Sequence, residues 1–211
     1  MKIGIFGGAF NPVHNGHMIL IDSLWRAPMQ PDLSRLEKLI IIPTANPPHR
    51  SADEFVSGDD RINMLRLALK NNDVFSKDEN YKGLEISEIE FSLDGKSYTY
   101  NTIKALKALY PTDEFYLFMG SDQFLNFRSW YKSEKIMKIA HIVGFSRCEE
   151  DRARVEQFIE DNPDLGADTV FAEPFEVSSS EIRAKIRAGE SIKGLVPDAV
   201  ENYIREKALY V

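Results

Sequence analysis

Cysteine is almost absent. Cys148 stands alone among 211 residues, which excludes an intramolecular disulfide and a zinc site built on cysteine and fits a reducing, cytoplasmic setting. Long apolar runs are missing as well: no stretch reaches the ~18 apolar residues needed to span a bilayer, so no membrane partner is expected. Met1 to Phe6 lead straight into a strand-like run, so no signal peptide is expected either. Positive charge is in deficit, with 26 Lys and Arg against 33 Asp and Glu and a formal net charge of −7. Such a chain has no broad basic surface for a polynucleotide backbone, and nucleic acid is not an expected partner. A small phosphate-bearing ligand would need a local cluster of donors acting against the overall field. Internal repeats and low-complexity tracts are also lacking.

What is present is an ordinary globular balance, 43% hydrophobic and 28% charged residues. The length suits a single α/β domain over 1–211, with a helical C-terminal part from about 178. The apolar run Lys2–Phe6, ended by Gly7-Gly8, predicts a buried strand that enters a loop passing close to something. A helix is expected over Gly16–Arg26, with Met18, Ile21 and Leu24 on its apolar face and Pro28 marking its end. Lys38–Ile42 reads as a second strand, and the proline-rich stretch from Pro43 to Arg50 as a loop with an exposed, mobile tip. Further along, helices are expected over Arg61–Leu69, Thr102–Leu109, Ser133–Lys138 and Arg152–Ile159, and from Ser179 to the end. Strands are expected over Leu84–Phe91, Glu114–Met119, His141–Phe145 and Thr169–Ala172. His141 reads as a core histidine, and the acidic run Glu149–Asp151 as a solvated helix start.

Short apolar strands alternating with helices imply a Rossmann-like doubly wound parallel sheet with helices on both faces and a helical C-terminus. Ligands of such sheets sit outside the carboxyl ends of the strands. The Gly7–His17 loop, the Gly120–Asp122 turn and the Arg147 region would all emerge there.

The stretch GGAFNPVHNGH, Gly7 to His17, follows the first strand. Gly7 and Gly8 let the backbone approach a phosphate without a Cβ in the way, and Asn11-Pro12 redirects the chain. His14 and His17 can face one point near the start of the next helix, where free N–H groups and the helix dipole favour an anion. Each part has a plainer reading as a turn or a packed histidine; the whole constellation argues for an anion site. No third ligand at suitable spacing is evident, so a catalytic zinc site is not expected.

That stretch resembles the HxGH signature of the nucleotidyltransferase superfamily, and VSSSEIR, Val177 to Arg183, resembles its ISSTxIR motif. NPPHR at 46–50, KSYTYNT at 96–102 and GSDQFLNFRSWY at 120–131 resemble three segments of the nicotinate mononucleotide adenylyltransferases. Two positions depart from the usual GGTFDP: Ala9 lacks a hydroxyl that would touch phosphate, and Asn11 lacks a charge but keeps an acceptor able to fix the turn. The resemblance implies transfer of the AMP part of ATP to nicotinate mononucleotide, releasing pyrophosphate, with Mg²⁺ accompanying ATP and no protein metal site. It implies catalytic roles for His14, His17 and Arg183, and ATP contacts from Gly7, Gly8, Phe10, Gly120, Asp122, Arg147, Ser179 and Ser180. His49, Arg50, Thr99, Trp130 and Tyr131 would hold the mononucleotide. For Arg183 the plainer reading is a surface helix arginine, for Asp122 a helix cap, for Trp130 a core tryptophan. ATP and the mononucleotide are the implied partners, and a homo-oligomer is compatible with them. Two rivals stay open at this point: the shorter pantetheine-phosphate adenylyltransferases, which share HxGH but lack the PPH and SYT elements, and a noncatalytic nucleotide-binding module. A cytidylyltransferase fits less well, because VSSSEIR does not resemble the RTEGISTT form.

Overall fold

The computed structural model describes residues 1–30, 34–47, 55–72, 75–76, 78–175 and 177–211. Six strands, β1 (Lys2–Gly8), β2 (Lys38–Pro43), β3 (Leu84–Ile86), β4 (Glu114–Gly120), β5 (His141–Ser146) and β6 (Asp168–Phe171), form one sheet in the order β3-β2-β1-β4-β5-β6. Every pairing is parallel. This is the doubly wound order, and the sequence expectation of a Rossmann-like sheet holds. The connections run outward on both sides from β1 and β4, which leaves a crevice at their carboxyl ends, Gly8 and Gly120.

The sheet is buried on both faces because successive residues of each strand feed opposite sides. Leu39 and Ile41 join one core with Phe6, Phe118 and Val143, while Ile40 and Ile42 join the other with Ile3, Ile5 and Leu117. Four helices close the first face: α1 (Asn15–Arg26), α2 (Gly58–Lys70), α7 (Ser179–Arg187) and α8 (Asp198–Glu206). They bring in Ile21, Leu24, Leu65, Ile182 and Val200. The second face is covered by α3 (Thr99–Leu109), α4 (Ser121–Leu125), α5 (Ser133–Met137) and α6 (Glu149–Asp161), through Ile103, Leu106, Phe124, Ile136 and Val155. Each such aliphatic side chain contributes about 1.5–3 kcal/mol on burial. No helix among the described residues is long and apolar enough to cross a membrane.

Helices α2, α3 and α6 begin earlier than apolar periodicity suggests, at Gly58, Thr99 and Glu149, because their first turns are polar, whereas α5 and α7 begin at Ser133 and Ser179 as expected. Ser57 caps α2 by accepting from the Asp60 amide at 3.0 Å, and Glu149, Glu150 and Asp151 form the first turn of α6, where the helix dipole favours them. Two expectations need correction. The strand predicted over Leu84–Phe91 stops at Ile86, and a 3-10 turn follows over Ile89–Ser92. The last tie to β2 is the Ser87 amide on Ile41 O, 2.9 Å; beyond it the chain turns to bury Glu90, whose carboxylate accepts from the Ala45 amide at 3.1 Å and the Thr102 hydroxyl at 2.8 Å. His141 is exposed, not core: it opens β5 and stacks flat on Tyr116 with ring centres 4.9 Å apart.

Candidate active site

β1 extends through Gly7 and Gly8, two residues beyond the predicted strand. A Cβ on Gly7 would meet nothing nearer than Ile42 O at 4.0 Å, so the backbone there faces open space. The connection to α1 turns sharply: Phe10 has φ +46°, a left-handed conformation unusual for a bulky residue, and the Asn11–Pro12 peptide is cis. Phe10 is 1% exposed, with its ring 5.8 Å from that of Phe6 and 5.0 Å from that of His17. Its ring packs against the His17 ring and is closed off from solvent.

His14 is the residue before α1 and His17 lies in its first turn, which brings the rings to 3.7 Å between centres. The His14 backbone N–H donates to His17 Nδ1 at 3.2 Å. That nitrogen must be unprotonated to accept, so neutral His17 carries its proton on Nε2. His14 is 6% exposed, and its Nδ1 has no hydrogen-bond partner among the described residues, a state that costs free energy until a ligand satisfies it. Burial pushes the His14 imidazole down to about 4, aided by the Arg147 charge and opposed by Glu181. Burial also holds His17 well below the usual imidazole range, with His14 and Arg147 adding to it. Both rings are therefore neutral at pH 7. Between them stands Gly16, where a Cβ would lie 2.9 Å from the Phe175 ring and 3.1 Å from the His14 ring.

The second motif reaches the same loop from far along the chain. Ser178 caps α7, accepting from the Glu181 amide at 3.2 Å while Glu181 accepts from the Ser178 amide at 2.8 Å. The Ser179 hydroxyl donates to Pro12 O at 2.9 Å, and Arg183 donates through Nη1 to Asn11 O at 2.8 Å and through Nη2 to the Ser180 hydroxyl at 3.2 Å. Arg183 is thus anchored to the loop and is not a free surface arginine. Arg147 follows β5, exposed and without an ion pair among the described residues. Gly120 precedes α4 at the end of β4; Asp122 is exposed in the first turn and caps nothing.

The remaining predicted residues group around the start of α3. Thr99 is its first residue, and the preceding segment is tied to the second loop: the Ser97 amide donates to Asn46 O at 2.8 Å, and the Asn46 amide donates to the Ser97 hydroxyl at 2.9 Å. Tyr131 is 45% exposed, its ring 4.7 Å from that of Tyr98 and 6.3 Å from that of Tyr100, with Lys132 Nζ 4.5 Å above it. Trp130 is half-buried against the core and meets Phe127 edge to face at 5.8 Å. The predicted loop contacts His49 and Arg50, and the expected mobile tip around them, lie outside the described residues.

Arg61 was not anticipated. It is 2% exposed, and its Nη1 donates to Ala9 O at 2.9 Å and Thr44 O at 2.7 Å, fixing the first loop to the second. Its signal was an arginine on the apolar stripe of α2 beside Ile62, Met64 and Leu65. Among the described residues no group of three or more His, Cys, Asp or Glu side chains is placed to hold a metal ion.

Comparison with known proteins converges with this geometry. The model of the cytidylyltransferase-like family matches residues 5–185. A protein named "Probable nicotinate-nucleotide adenylyltransferase" from Desulfitobacterium hafniense is 34% identical over 99% of this chain and 95% of its own length, and one of the same name from Carboxydothermus hydrogenoformans is 36% identical over 99% and 98%. A solved structure of Plasmodium falciparum nicotinic acid mononucleotide adenylyltransferase, complexed with NaAD, shares the fold with a TM-score of 0.75 at 21% identity, covering 99% of this chain and 97% of that one. The chain belongs to the cytidylyltransferase-like family and, within it, to the nicotinate-nucleotide adenylyltransferases.

Proposed function

We propose that this chain, as one nucleotidyltransferase domain over 1–211, transfers the adenylyl group of ATP to nicotinate mononucleotide in NAD biosynthesis. A phosphate oxygen of the mononucleotide attacks the α-phosphorus of ATP; the bond from that phosphorus to the β-phosphate oxygen breaks, and pyrophosphate leaves. No enzyme nucleophile takes part. The protein places the reactants in line and neutralises developing charge.

The observation that carries this reading is the paired, neutral histidines at the start of α1, His14 buried and His17 partly so, stitched by Arg183 and Ser179 to the other end of the chain. Each neutral ring keeps one N–H that donates to a phosphate oxygen, and the α1 dipole adds to the attraction. Arg183 and Ser180 are assigned to the departing pyrophosphate. Ser179 donates to Pro12 O and holds the loop. Arg147, whose charge acts on both rings, faces the same phosphates, and Asp122 the adenosine ribose. Thr99, Trp130 and Tyr131 frame the nicotinate ring, and His49 and Arg50 take the mononucleotide phosphate.

Mg²⁺ fits as part of the substrate. It prefers oxygen ligands and keeps much of its water, whereas the cradle offers imidazole and amide nitrogens; the nucleotide phosphates bring the ion with them, and it supplies charge neutralisation there. The test is a coupled pyrophosphate-release assay with ATP, Mg²⁺ and a panel of phosphate acceptors. Release with nicotinate mononucleotide, and a dinucleotide of the corresponding mass, is expected. Release with phosphopantetheine in its place would refute the reading.

A further inference from the structure

Tyr210 reaches the loop that carries the paired histidines. After α8 the backbone folds back through two left-handed residues, Ala208 at φ +48° and Tyr210 at φ +66°, with the Leu209 amide bonded to Ile204 O at 3.0 Å. This turn carries the side chain of Tyr210, one residue from the terminus, into the space between α2 and α7. Its hydroxyl meets Asn11 Oδ1 at 2.8 Å, across 199 residues of sequence. Asn11 is 2% exposed. The same Oδ1 accepts from the Val56 amide at 3.3 Å, while the Asn11 backbone oxygen accepts from Arg183 at 2.8 Å.

The direction of the tyrosine bond follows from its surroundings. Burial raises the Tyr210 phenol well above its ordinary range, with the Arg183 and Arg61 charges opposing, so the group stays protonated and donates to the amide oxygen. Asn11 is thus clamped on both of its carbonyls, side chain and main chain. Any rotation of this residue moves the oxygen that holds Arg183. Residues Phe10 and Asn11 have little reason to hold this shape alone, since a bulky side chain at positive φ is strained and persists only where its neighbours over-determine it.

We propose that Tyr210 is a positioning residue: by fixing Asn11 it sets Arg183 for the leaving pyrophosphate, so that docking of the C-terminal turn completes the phosphate site. The claim rests on the adenylyl-transfer reading for its kinetic arm and on geometry alone for its structural arm. It also gives the Asn11 side-chain oxygen a role as the acceptor for two neutral donors, the Tyr210 hydroxyl and the Val56 amide.

Tyr210→Phe deletes the hydroxyl and keeps the ring. One neutral hydrogen bond corresponds to roughly a tenfold effect at most. In steady-state assays kcat should fall about fivefold to tenfold, and the KM for pyrophosphate in the reverse direction should rise by a similar factor. The KM for nicotinate mononucleotide should stay within twofold. In an Asn11→Ala background the same substitution should cost no more than twofold, because the bond is already gone. Equal kcat in Tyr210→Phe and wild type, or losses that multiply in the double variant, would overturn the proposal. The structural arm needs no turnover: hydrogen exchange of segment 9–17 in the ligand-free protein should quicken in Tyr210→Phe while segments 38–43 and 114–120 keep their protection. Unchanged exchange at 9–17 would overturn it. Wild-type protein that forms no dinucleotide would refute the proposed function, and the exchange result would still decide the role of Tyr210.

Discussion

The two halves of the site are built by different means. Around His14, His17 and Arg183 the parts come from opposite ends of the chain, are largely buried, and are joined by hydrogen bonds of 2.8–2.9 Å from Arg183 and Ser179 to the backbone of the first loop. Around Thr99, Trp130 and Tyr131 the parts are close in sequence, more exposed, and held chiefly by ring contacts. A site for a triphosphate must resist movement while charge shifts between oxygens, so its donors are fixed in advance. A site for a flat ring gains from surfaces that close on it. The phosphate side should therefore govern kcat, and the ring side KM and acceptor choice.

The largest effect should come from the phosphate side. His17→Ala removes a preorganised donor and should lower kcat by ~10²–10³, leaving the KM for the mononucleotide within about threefold and the fold intact by circular dichroism. A loss confined to the acceptor KM would reverse the assignment of the two halves. Next comes acceptor choice. In the proposed acceptor pocket the Thr99 hydroxyl would donate to a carboxylate oxygen, while the Trp130 N–H is already given to Phe127 O at 3.0 Å; a preference for the acid over the amide of nicotinamide mononucleotide therefore rests on Thr99 and the groups around Tyr131. The ratio of kcat/KM for the acid over the amide should be at least ~10², and since the chain carries a net charge of −7 the preference must be local; equal values would remove it.

The histidines also leave a signature in stability. Their folded pKa lies below the unfolded value of 6.5, so the unfolded chain binds the extra protons on acidification. Stability is fully present above about pH 6.5 and is lost as pH falls toward 4. For His14 alone, shifted to about 4, the loss at pH 5 is about 2 kcal/mol at 1.36 kcal/mol per unit. Urea midpoints at pH 7 and pH 5 measure it, and His14→Gln should flatten the difference. The smallest effect belongs to the ring side. Tyr131→Ala gives up one aromatic contact, worth about 1 kcal/mol, so the acceptor KM should rise about fivefold with kcat near that of wild type.

The parallel sheet was legible because buried strands are short apolar runs between punctuating glycines and prolines, and the meeting of His14 with His17 because the two are local in sequence. Boundaries were less so: β1 runs on through Gly7 and Gly8, since glycines pair in a ladder as well as any residue. Alternation over Leu84–Phe91 hid the turn that buries Glu90, because period two does not say where a ladder ends. Arg61 sat in plain view on an apolar stripe. The contact of Tyr210 with Asn11 left no local sign at all, being set by how α8 packs on α2.

Partition of label from ATP tests the central claim most directly. With nicotinate mononucleotide and Mg²⁺ present, label on the α-phosphorus should pass wholly into the dinucleotide and label on the γ-phosphorus wholly into pyrophosphate. Label from the γ-phosphorus on the acceptor, or released as inorganic phosphate, would contradict adenylyl transfer.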